Sequence, residues 1–384
     1  MSDTSNEPEF ESEEGFREET EEEKLLNEIS ELSKRGYQLL KEGLIEESEE
    51  CFLRIIEKDE LNNYALVGLG DAARKRADFR QAVVYYQRCL ETHPGNNYAL
   101  FGLADCYKAL NKYNQAIKIW EEYLLHDDSN ITVLTRIADA YRKVRDFKKS
   151  REIYLRVLEM EQDNAYALIG LGHLHYDFRE YREALKYWER MYELKKHNVD
   201  IRVLTSLGNC HRKLRTFEKG TFYFDKALEL EPNNFYALFG MADCYRGMNA
   251  HEESLQYWDK ILKKDPDNKV ILTRAGDAYR NLEDFDRAED YYSKALNIEF
   301  DVYAILGLAL INKLRGNYEN SIESLRGLLR NDPKNHRLYT EIAECYMLLG
   351  DKNKAIEILA EFQKLGIRNT FVSNLLDKLR SGNR

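Results

Sequence analysis

Small residues recur along this 384-residue chain with a period of about 34. Glycine or alanine occupies ten positions at this spacing: Gly36, Gly70, Ala104, Ala138, Gly172, Gly208, Ala242, Gly276, Ala309 and Ala343. A second small residue follows each of these by 12 positions: Ser48, Ala82, Ala116, Ser150, Ala184, Gly220, Ser254, Ala288, Ser321 and Ala355. A fixed period in this range indicates a repeat array, so we predict a solenoid in which each repeat contacts its neighbours.

Each repeat is predicted to be a hairpin of two helices. The ten repeats start at Ile29, Asn63, Asn97, Ile131, Ala165, Ile201, Phe235, Lys269, Val302 and His336. In the third repeat, Leu100, Leu103 and Tyr107 form one apolar stripe of a helix, and Ala116 and Trp120 mark a second helix in the same way. Antiparallel helices approach within about 8 Å only where the side chains at the crossing are small. The two small residues of each repeat therefore mark the crossing point.

The second repeat contains a longer pattern, made of Leu69-Gly70, Ala82, Tyr86, Cys89 and Pro94. It resembles the tetratricopeptide repeat family, which has Leu-Gly, alanine, an aromatic residue, alanine and proline at these places. The resemblance covers residues 29 to about 367, although leucine replaces the early tryptophan of the family pattern. It implies an all-α, right-handed superhelical solenoid of about ten helix-turn-helix repeats that acts as a non-enzymatic protein-interaction scaffold.

Three segments follow from these boundaries: an acidic, disordered tail (1–28), ten repeats (29–367), and a C-terminal capping helix and tail (368–384). The net charge is −11, and residues 1–24 carry −9 of it because eleven acids stand there against Arg17 and Lys24. The tail either keeps the chain soluble or competes for the binding groove near Arg142 and Arg280.

The remaining 360 residues are nearly neutral, with a net charge of −2. Such a body has no positive field to attract phosphate backbones, so we expect no nucleic-acid partner. No apolar run approaches the ~18 residues of a membrane span, and Met1 is followed by polar residues instead of a secretory leader. We therefore expect a cytoplasmic protein without membrane insertion.

Two types of repeat alternate along the array. The first helix reads Tyr98-Ala-Leu-Phe-Gly in the third repeat and similarly from Tyr166 and Tyr236, whereas intervening repeats read like Val133-Leu-Thr-Arg. All three tryptophans belong to the first type. Duplication of two-repeat blocks explains the alternation by ancestry alone, and a groove whose chemistry repeats in every second unit explains it by function. Both interpretations account for the alternation.

The predicted binding surface lies on the first helix of each repeat. At about 100° per residue, positions 4, 7, 8 and 11 of a repeat point into the core, and positions 2, 5, 9 and 12 lie roughly opposite. In the tetratricopeptide family that side lines the concave surface. The candidate residues are Tyr98, Phe101, Asp105, Lys108, Arg136, Asp139, Arg142, Tyr166, Tyr236, Phe239, Asp243, Arg246, Arg274, Asp277 and Arg280.

These residues admit a structural and a functional interpretation. An aspartate followed three positions later by arginine or lysine forms an ion pair on a solvated helix face, worth ~0.3 kcal/mol. Ion pairing does not explain the tyrosines and phenylalanines, since exposed aromatic residues mark binding surfaces. We expect an extended peptide or a helical segment of one or more partner proteins in the groove. The alternative is a homo-oligomeric structural assembly, in which the partner is a second copy.

No catalytic, cofactor-binding or metal-binding group is expected. Gly68-x-Gly70 lies inside a predicted helix without a preceding strand, which excludes a phosphate-binding loop. His175 and His211 occupy a position that holds tyrosine in other repeats, so packing is the favoured interpretation over metal ligation. The cysteines at equivalent repeat positions are interpreted as buried, reduced thiols.

Overall fold

A computed structural model describes residues 20–195 and 198–381, which form α-helices and no strands. The helices are α1 (Glu21–Glu42), α2 (Ile45–Lys58), α3 (Asn63–Lys75), α4 (Phe79–Thr92), α5 (Asn97–Ala109), α6 (Tyr113–Leu124), α7 (Ile131–Lys143), α8 (Phe147–Met160), α9 (Ala165–Asp177), α10 (Tyr181–Leu194), α11 (Ile201–Lys213), α12 (Phe217–Leu230), α13 (Phe235–Gly247), α14 (His251–Leu262), α15 (Lys269–Asn281), α16 (Phe285–Ile298), α17 (Val302–Leu314), α18 (Tyr318–Asn331), α19 (His336–Leu348), α20 (Lys352–Lys364) and α21 (Thr370–Ser381).

The chain divides into two compact units, Met1–Leu174 and His175–Arg384. In the first unit, α1 pairs with α2, α3 with α4, α5 with α6 and α7 with α8. In the second unit the same hairpin recurs from α11 to α20, and α21 packs against α20. The predicted all-α array of helical hairpins is confirmed.

Asparagine side chains set where many first helices begin. The carbonyl oxygens of Asn62, Asn96 and Asn130 each accept a hydrogen bond from the backbone N–H three residues later, at 3.0–3.2 Å. Such a cap satisfies one of the N–H groups that a helix leaves unpaired at its start. From α3 to α19, every first helix starts at the residue that the repeat period predicts.

The first helix is longer than predicted. α1 begins at Glu21, whereas the sequence pattern places the first repeat at Ile29. Thr20 and Glu23 form a reciprocal cap, because Glu23 N–H donates to Thr20 Oγ1 (3.2 Å) and Thr20 N–H donates to Glu23 Oε2 (2.8 Å). The acidic stretch from 21 to 28 is therefore helical. The rest of the predicted tail, residues 1–19, lies outside the described residues.

Paired small residues meet where the two helices of a hairpin cross. In three of the four repeats whose second small residue is serine, its hydroxyl donates to the backbone carbonyl of the first: Ser48 to Gly36 (2.8 Å), Ser150 to Ala138 (2.7 Å) and Ser254 to Ala242 (2.9 Å). These serines are fully buried. A bond of this kind requires close helix approach, in agreement with the spacing argument.

A left-handed residue occurs at position 15 of each repeat, where the first helix ends. The residues with positive φ are Gly43, Ala77, Asn111, Arg145, Arg179, Arg215, Asn249, Glu283, Gly316 and Gly350. This conformation ends the helix and reverses the chain. Only three of these ten positions carry the glycine that accepts the conformation without strain.

The alternation of repeat types has a packing cause. Glycine at position 6 accepts a tyrosine or phenylalanine ring from the second helix of the preceding repeat, as Gly102 accepts Tyr86 and Gly240 accepts Phe224. Where that second helix carries tryptophan instead, position 6 holds arginine or serine; Arg274, for example, lies 5.9 Å from the Trp258 ring. The aromatic residue of the second helix and the position-6 residue that it contacts therefore change together from one repeat to the next.

Candidate protein-binding surface

Five tyrosines at position 2 of their repeats are exposed on the first helices. Tyr98 is 80 % exposed, Tyr166 75 % and Tyr236 70 %, and Tyr64 and Tyr303 are similar. Each lies one residue into its helix, on the side that the helical period places away from the core. Positions 2, 5, 6, 9 and 12 of the first helices are called the first-helix face below.

The two phenylalanines of the candidate set are less accessible than the tyrosines. Phe101 is half-buried, packs edge-on against Tyr123 at 6.4 Å, and is covered by the Arg136 guanidinium at 4.8 Å. Phe239 lies 5.3 Å from Trp258 and 5.1 Å from the Arg274 guanidinium. Both rings thus stack between core and arginine, which corrects the expectation of freely exposed anchors at these positions.

Asp105 joins three consecutive repeats of the first unit. It accepts hydrogen bonds from Arg136 of the following repeat and from Arg74 of the preceding one, the latter at 3.3 Å. Burial raises the pKa of Asp105, and Arg136, Arg74 and Lys108 oppose this shift. Each arginine stands 31 residues from the aspartate, so these ion pairs fasten neighbouring hairpins together.

Asp243 occupies the equivalent place in the second unit and is more strongly held. Arg212 and Arg274 donate to it from the two neighbouring repeats, and Arg246 donates from its own helix at 2.7 Å. Burial raises the pKa of this carboxyl, but Arg246, Arg212 and Arg274 together hold it below its ordinary value. Asp105 has two guanidinium partners where Asp243 has three, which explains the opposite directions of the two shifts.

The remaining charged candidates pair within their own helices, as the solvated-face interpretation expects, or with the neighbouring repeat. Arg142 donates to Asp139 at 2.7 Å, and Lys108 lies 3.8 Å from the same carboxylate. Arg280 lies 3.4 Å from Asp277. Arg142 and Arg280 are the two arginines near which the acidic tail is predicted to compete for the groove. Each of them pairs with an aspartate three residues earlier.

The first unit has an open cleft on this face, with a volume of about 630 Å³. It contains candidate residues from three repeats together with others that the sequence pattern did not single out. Its lining consists of Lys108, Ile131, Thr132, Thr135, Arg136, Asp139, Tyr154, Glu161, Asn164, Tyr166, Ile169 and Gly170. Charged, hydroxyl and aromatic groups converge there, which suits a polar segment of a protein chain.

The histidines considered as metal ligands pack against aromatic rings. His175 stacks on Tyr187 with ring centroids 5.4 Å apart, and His211 stacks on Tyr223 at 5.6 Å. Tyr245 and Tyr257 form the same stack at 5.7 Å. Histidine therefore substitutes for tyrosine in a repeated ring pair. Within the described part of the chain, no three histidine, cysteine, aspartate or glutamate side chains gather as a metal site would require.

The cysteines are buried free thiols. Burial raises the pKa of Cys106 and Cys244 to about 12 and that of Cys89 to about 11. A thiol with so high a pKa is almost entirely protonated near neutral pH and is a poor nucleophile. The thiols therefore act as small apolar side chains.

Among the described helices, none has the length and apolar character needed to cross a bilayer.

Comparisons with known proteins agree with this architecture. The sequence matches no curated protein at a significant level. Four family profiles, each described as tetratricopeptide repeat, match residues 73–135 and 314–363, 135–198, 223–256, and 201–234 and 271–302.

The solved structures that resemble this chain are distant from it in sequence. The C-terminal part of a TPR repeat-containing protein from Cytophaga hutchinsonii is 18 % identical with a TM-score of 0.53, covering 63 % of this chain and 99 % of that one. A tetratricopeptide repeat protein from Parabacteroides merdae is 16 % identical with a TM-score of 0.40, covering 75 % and 97 %. YrrB, described as a TPR protein with an unusual peptide-binding site, is 21 % identical with a TM-score of 0.42, covering 48 % and 95 %. From its repeated hairpins and these profile matches, the chain belongs to the tetratricopeptide repeat family.

Proposed function

We propose that this chain is a non-enzymatic scaffold that binds an extended peptide or a helical segment of a partner protein along its first-helix face. The observation that carries the proposal is the set of position-2 tyrosines, which are 62–80 % exposed although the aspartates and arginines of the face pair with one another. Tyrosine offers an apolar ring and a polar tip, and such side chains are enriched at protein interfaces.

The charged residues of the face support a binding role over a catalytic one. Asp105, Asp139, Asp243 and Asp277 each accept a hydrogen bond from an arginine, so their carboxylates are engaged in holding helices and repeats. A general base or nucleophile needs a group that is free to exchange a proton or attack a substrate. These carboxylates instead pair with the arginines that lie between the tyrosines.

The test uses a photoreactive amino acid placed at Tyr98, with Leu125 as the matched control. Both side chains are about equally exposed, at 80 % and 82 %, but Leu125 follows the second helix of the hairpin and lies off the first-helix face. Irradiation of cells that produce each variant should join the Tyr98 variant to another protein and leave the Leu125 variant unjoined.

Two outcomes would contradict the proposal. Equal cross-linking from Leu125 would place the contact surface outside the first-helix face, and no cross-linking from Tyr98 would remove the tyrosines from it. Cross-linking of two copies of this chain, with a doubled mass by light scattering, would establish self-assembly instead of a scaffold for other proteins.

A further inference from the structure

The residues that line the open cleft of the first unit have equivalents in the second unit, and the two sets, called the first and second copy below, can be compared position by position. The residues correspond in order along the chain, and seven lining positions are identical: Thr135 and Thr273, Arg136 and Arg274, Asp139 and Asp277, Tyr154 and Tyr292, Glu161 and Glu299, Tyr166 and Tyr303, and Gly170 and Gly307. The differences between the copies are therefore few and can be examined one by one.

In the second copy, two side-chain bonds connect the first helix α15 to the segment that precedes α17. Lys269 Nζ donates to Glu299 Oε2 at 2.6 Å. Thr273 Oγ1 donates to Asp301 Oδ2 at 2.9 Å, and both of these residues are buried. The chain thus supplies its own lysine to the glutamate of this copy.

In the first copy, neither bond is present. Ile131 stands where the second copy has Lys269, and Asn164 stands where it has Asp301. The Thr135 hydroxyl donates to the carbonyl of Thr132 in its own helix at 2.9 Å. Glu161 accepts a bond from Asn164 Nδ2 at 2.7 Å and has no lysine or arginine partner among the described residues. Ile131 and Glu161 both line the open cleft.

We propose that this cleft binds a lysine side chain of the partner segment, with its ammonium donating to the Glu161 carboxylate as the Lys269 ammonium donates to Glu299. The inference rests on the proposed function and specifies one residue of the bound segment. Ile131 and the ring of Tyr166 offer apolar surface to the methylene stem, while the charged head stays at the polar end of the cleft.

The charges around the cleft accommodate one more cation. Lys108, Arg136 and Arg142 face Asp105 and Asp139 in the first copy, so of the two acids that line the cleft, Glu161 is the one that pairs with no cation in the described part of the chain. The second copy has the same arrangement of signs around Lys269 and Glu299, formed by Arg246, Arg274 and Arg280 with Asp243 and Asp277. An ammonium is therefore already held in an equivalent environment within this chain.

The experiment pans phage-displayed random twelve-residue peptides on the full chain and measures the affinity of the selected peptides by fluorescence anisotropy. Ile131→Lys supplies the first copy with the lysine of the second copy and should weaken binding of the native-selected peptides about fivefold, the loss expected when one exposed ion pair is removed. Val84→Lys is the control, because it adds the same charge at an exposed apolar position of a second helix. Thermal melts by circular dichroism verify that both variants are folded.

Exchanging the charges of the peptide lysine and of Glu161 tests whether these two side chains contact each other. The selected peptides should contain a lysine whose replacement by glutamate weakens binding to the native chain, and Glu161→Lys should restore binding of the glutamate peptide. Peptides without lysine, or peptides insensitive to Ile131→Lys although weakened by Tyr98→Ala, would overturn the lysine assignment and leave the scaffold function standing. Recovery of no peptide that depends on the first-helix face would count against the scaffold function itself.

Discussion

The ring of Tyr86 occupies the space that the missing side chain of Gly102 leaves open, and a Cβ at Gly102 would lie 2.3 Å from Tyr86 Cζ. Tyr86 is fully buried on α4, and its hydroxyl donates to Asp71 at 2.7 Å. The ring is thus fixed at both ends and joins the second hairpin to the third. Glycine is required at position 102 because of close approach, at the expense of helix propensity.

We therefore expect Gly102→Ala to destabilise the chain by about 1–3 kcal/mol, since the added methyl group forces the ring aside. Gly327→Ala is the matched control: Gly327 lies inside α18 with no atom within 4 Å of the built Cβ. There alanine should stabilise by about 1 kcal/mol through its better helix propensity. Denaturant unfolding followed by circular dichroism measures both changes. A stabilising effect at Gly102 similar to that at Gly327 would contradict the described packing.

The two equivalent aspartates should differ in their contribution to stability. Asp243→Asn leaves Arg212, Arg246 and Arg274 without their shared acid, and because breaking a buried ion pair costs about 3 kcal/mol, we expect a loss of that size. Asp105→Asn leaves Arg136 without its acid, whereas Arg74 keeps its bond to Asp71, and both arginines are about one-third exposed, so the loss should be smaller. Urea unfolding at pH 7 gives both values, and a larger loss at Asp105 would refute this ranking.

Acidification should separate the same two carboxylates. The pKa of Asp243 lies below its ordinary value, so its stabilisation is present above the unfolded pKa of about 3.9 and is lost as the pH falls through the folded pKa. The pKa of Asp105 is raised, so the Asp105 carboxylate binds a proton more readily in the folded state than in the unfolded state. Protonation of Asp105 on acidification therefore favours the folded state.

Between about pH 5 and pH 2, Asp243→Asn should therefore lose less stability on acidification than the native chain, and Asp105→Asn should lose more. Stability measured at several pH values in this window tests the difference. Equal slopes for the two variants would show that the third guanidinium at Asp243 has no effect on its pKa.

The left-handed position at the end of each first helix predicts a stabilising substitution. Ala77 has φ +62°, a conformation that costs a residue with a Cβ roughly 1 kcal/mol. Ala77→Gly should therefore raise the thermal midpoint, and Gly316→Ala, at φ +84°, should lower it by a similar amount. Differential scanning calorimetry of the pair tests both signs. Destabilisation by Ala77→Gly would mean that the turn is not held in this conformation.

The buried thiols should be protected from alkylation. Cys106 and Cys244 are fully buried and their pKa is raised to about 12, so iodoacetamide should modify them slowly at pH 8 in the folded chain and rapidly in guanidinium. Mass spectrometry of the digested chain reports each residue separately. Equal modification rates in the folded and unfolded chain would show that these thiols are not in the core.

The sequence alone determined the hairpin repeat, the start of every first helix from α3 to α19 and the exposure of the tyrosines. The small residues Gly36 and Ser48 stand 12 positions apart, and the hydrogen bond between them confirms the crossing that this spacing predicts. Exposure at Tyr98 follows from its angle on a single helix. These features are local, because the period of a helix fixes which side chains share a face whatever the neighbouring repeats do.

Tertiary structure decided how consecutive hairpins are joined. Arg136 reaches Asp105 across 31 residues and covers Phe101 on the way, although the sequence pattern suggested only pairs three residues apart and a free ring. A contact of this kind depends on the rotation from one hairpin to the next and on the rotamers of long side chains, neither of which the helical period specifies. The two equivalent sites differ for the same reason. Lys269 reaches Glu299 of the next repeat, whereas Ile131 at the equivalent position forms no such bond and lines an open cleft.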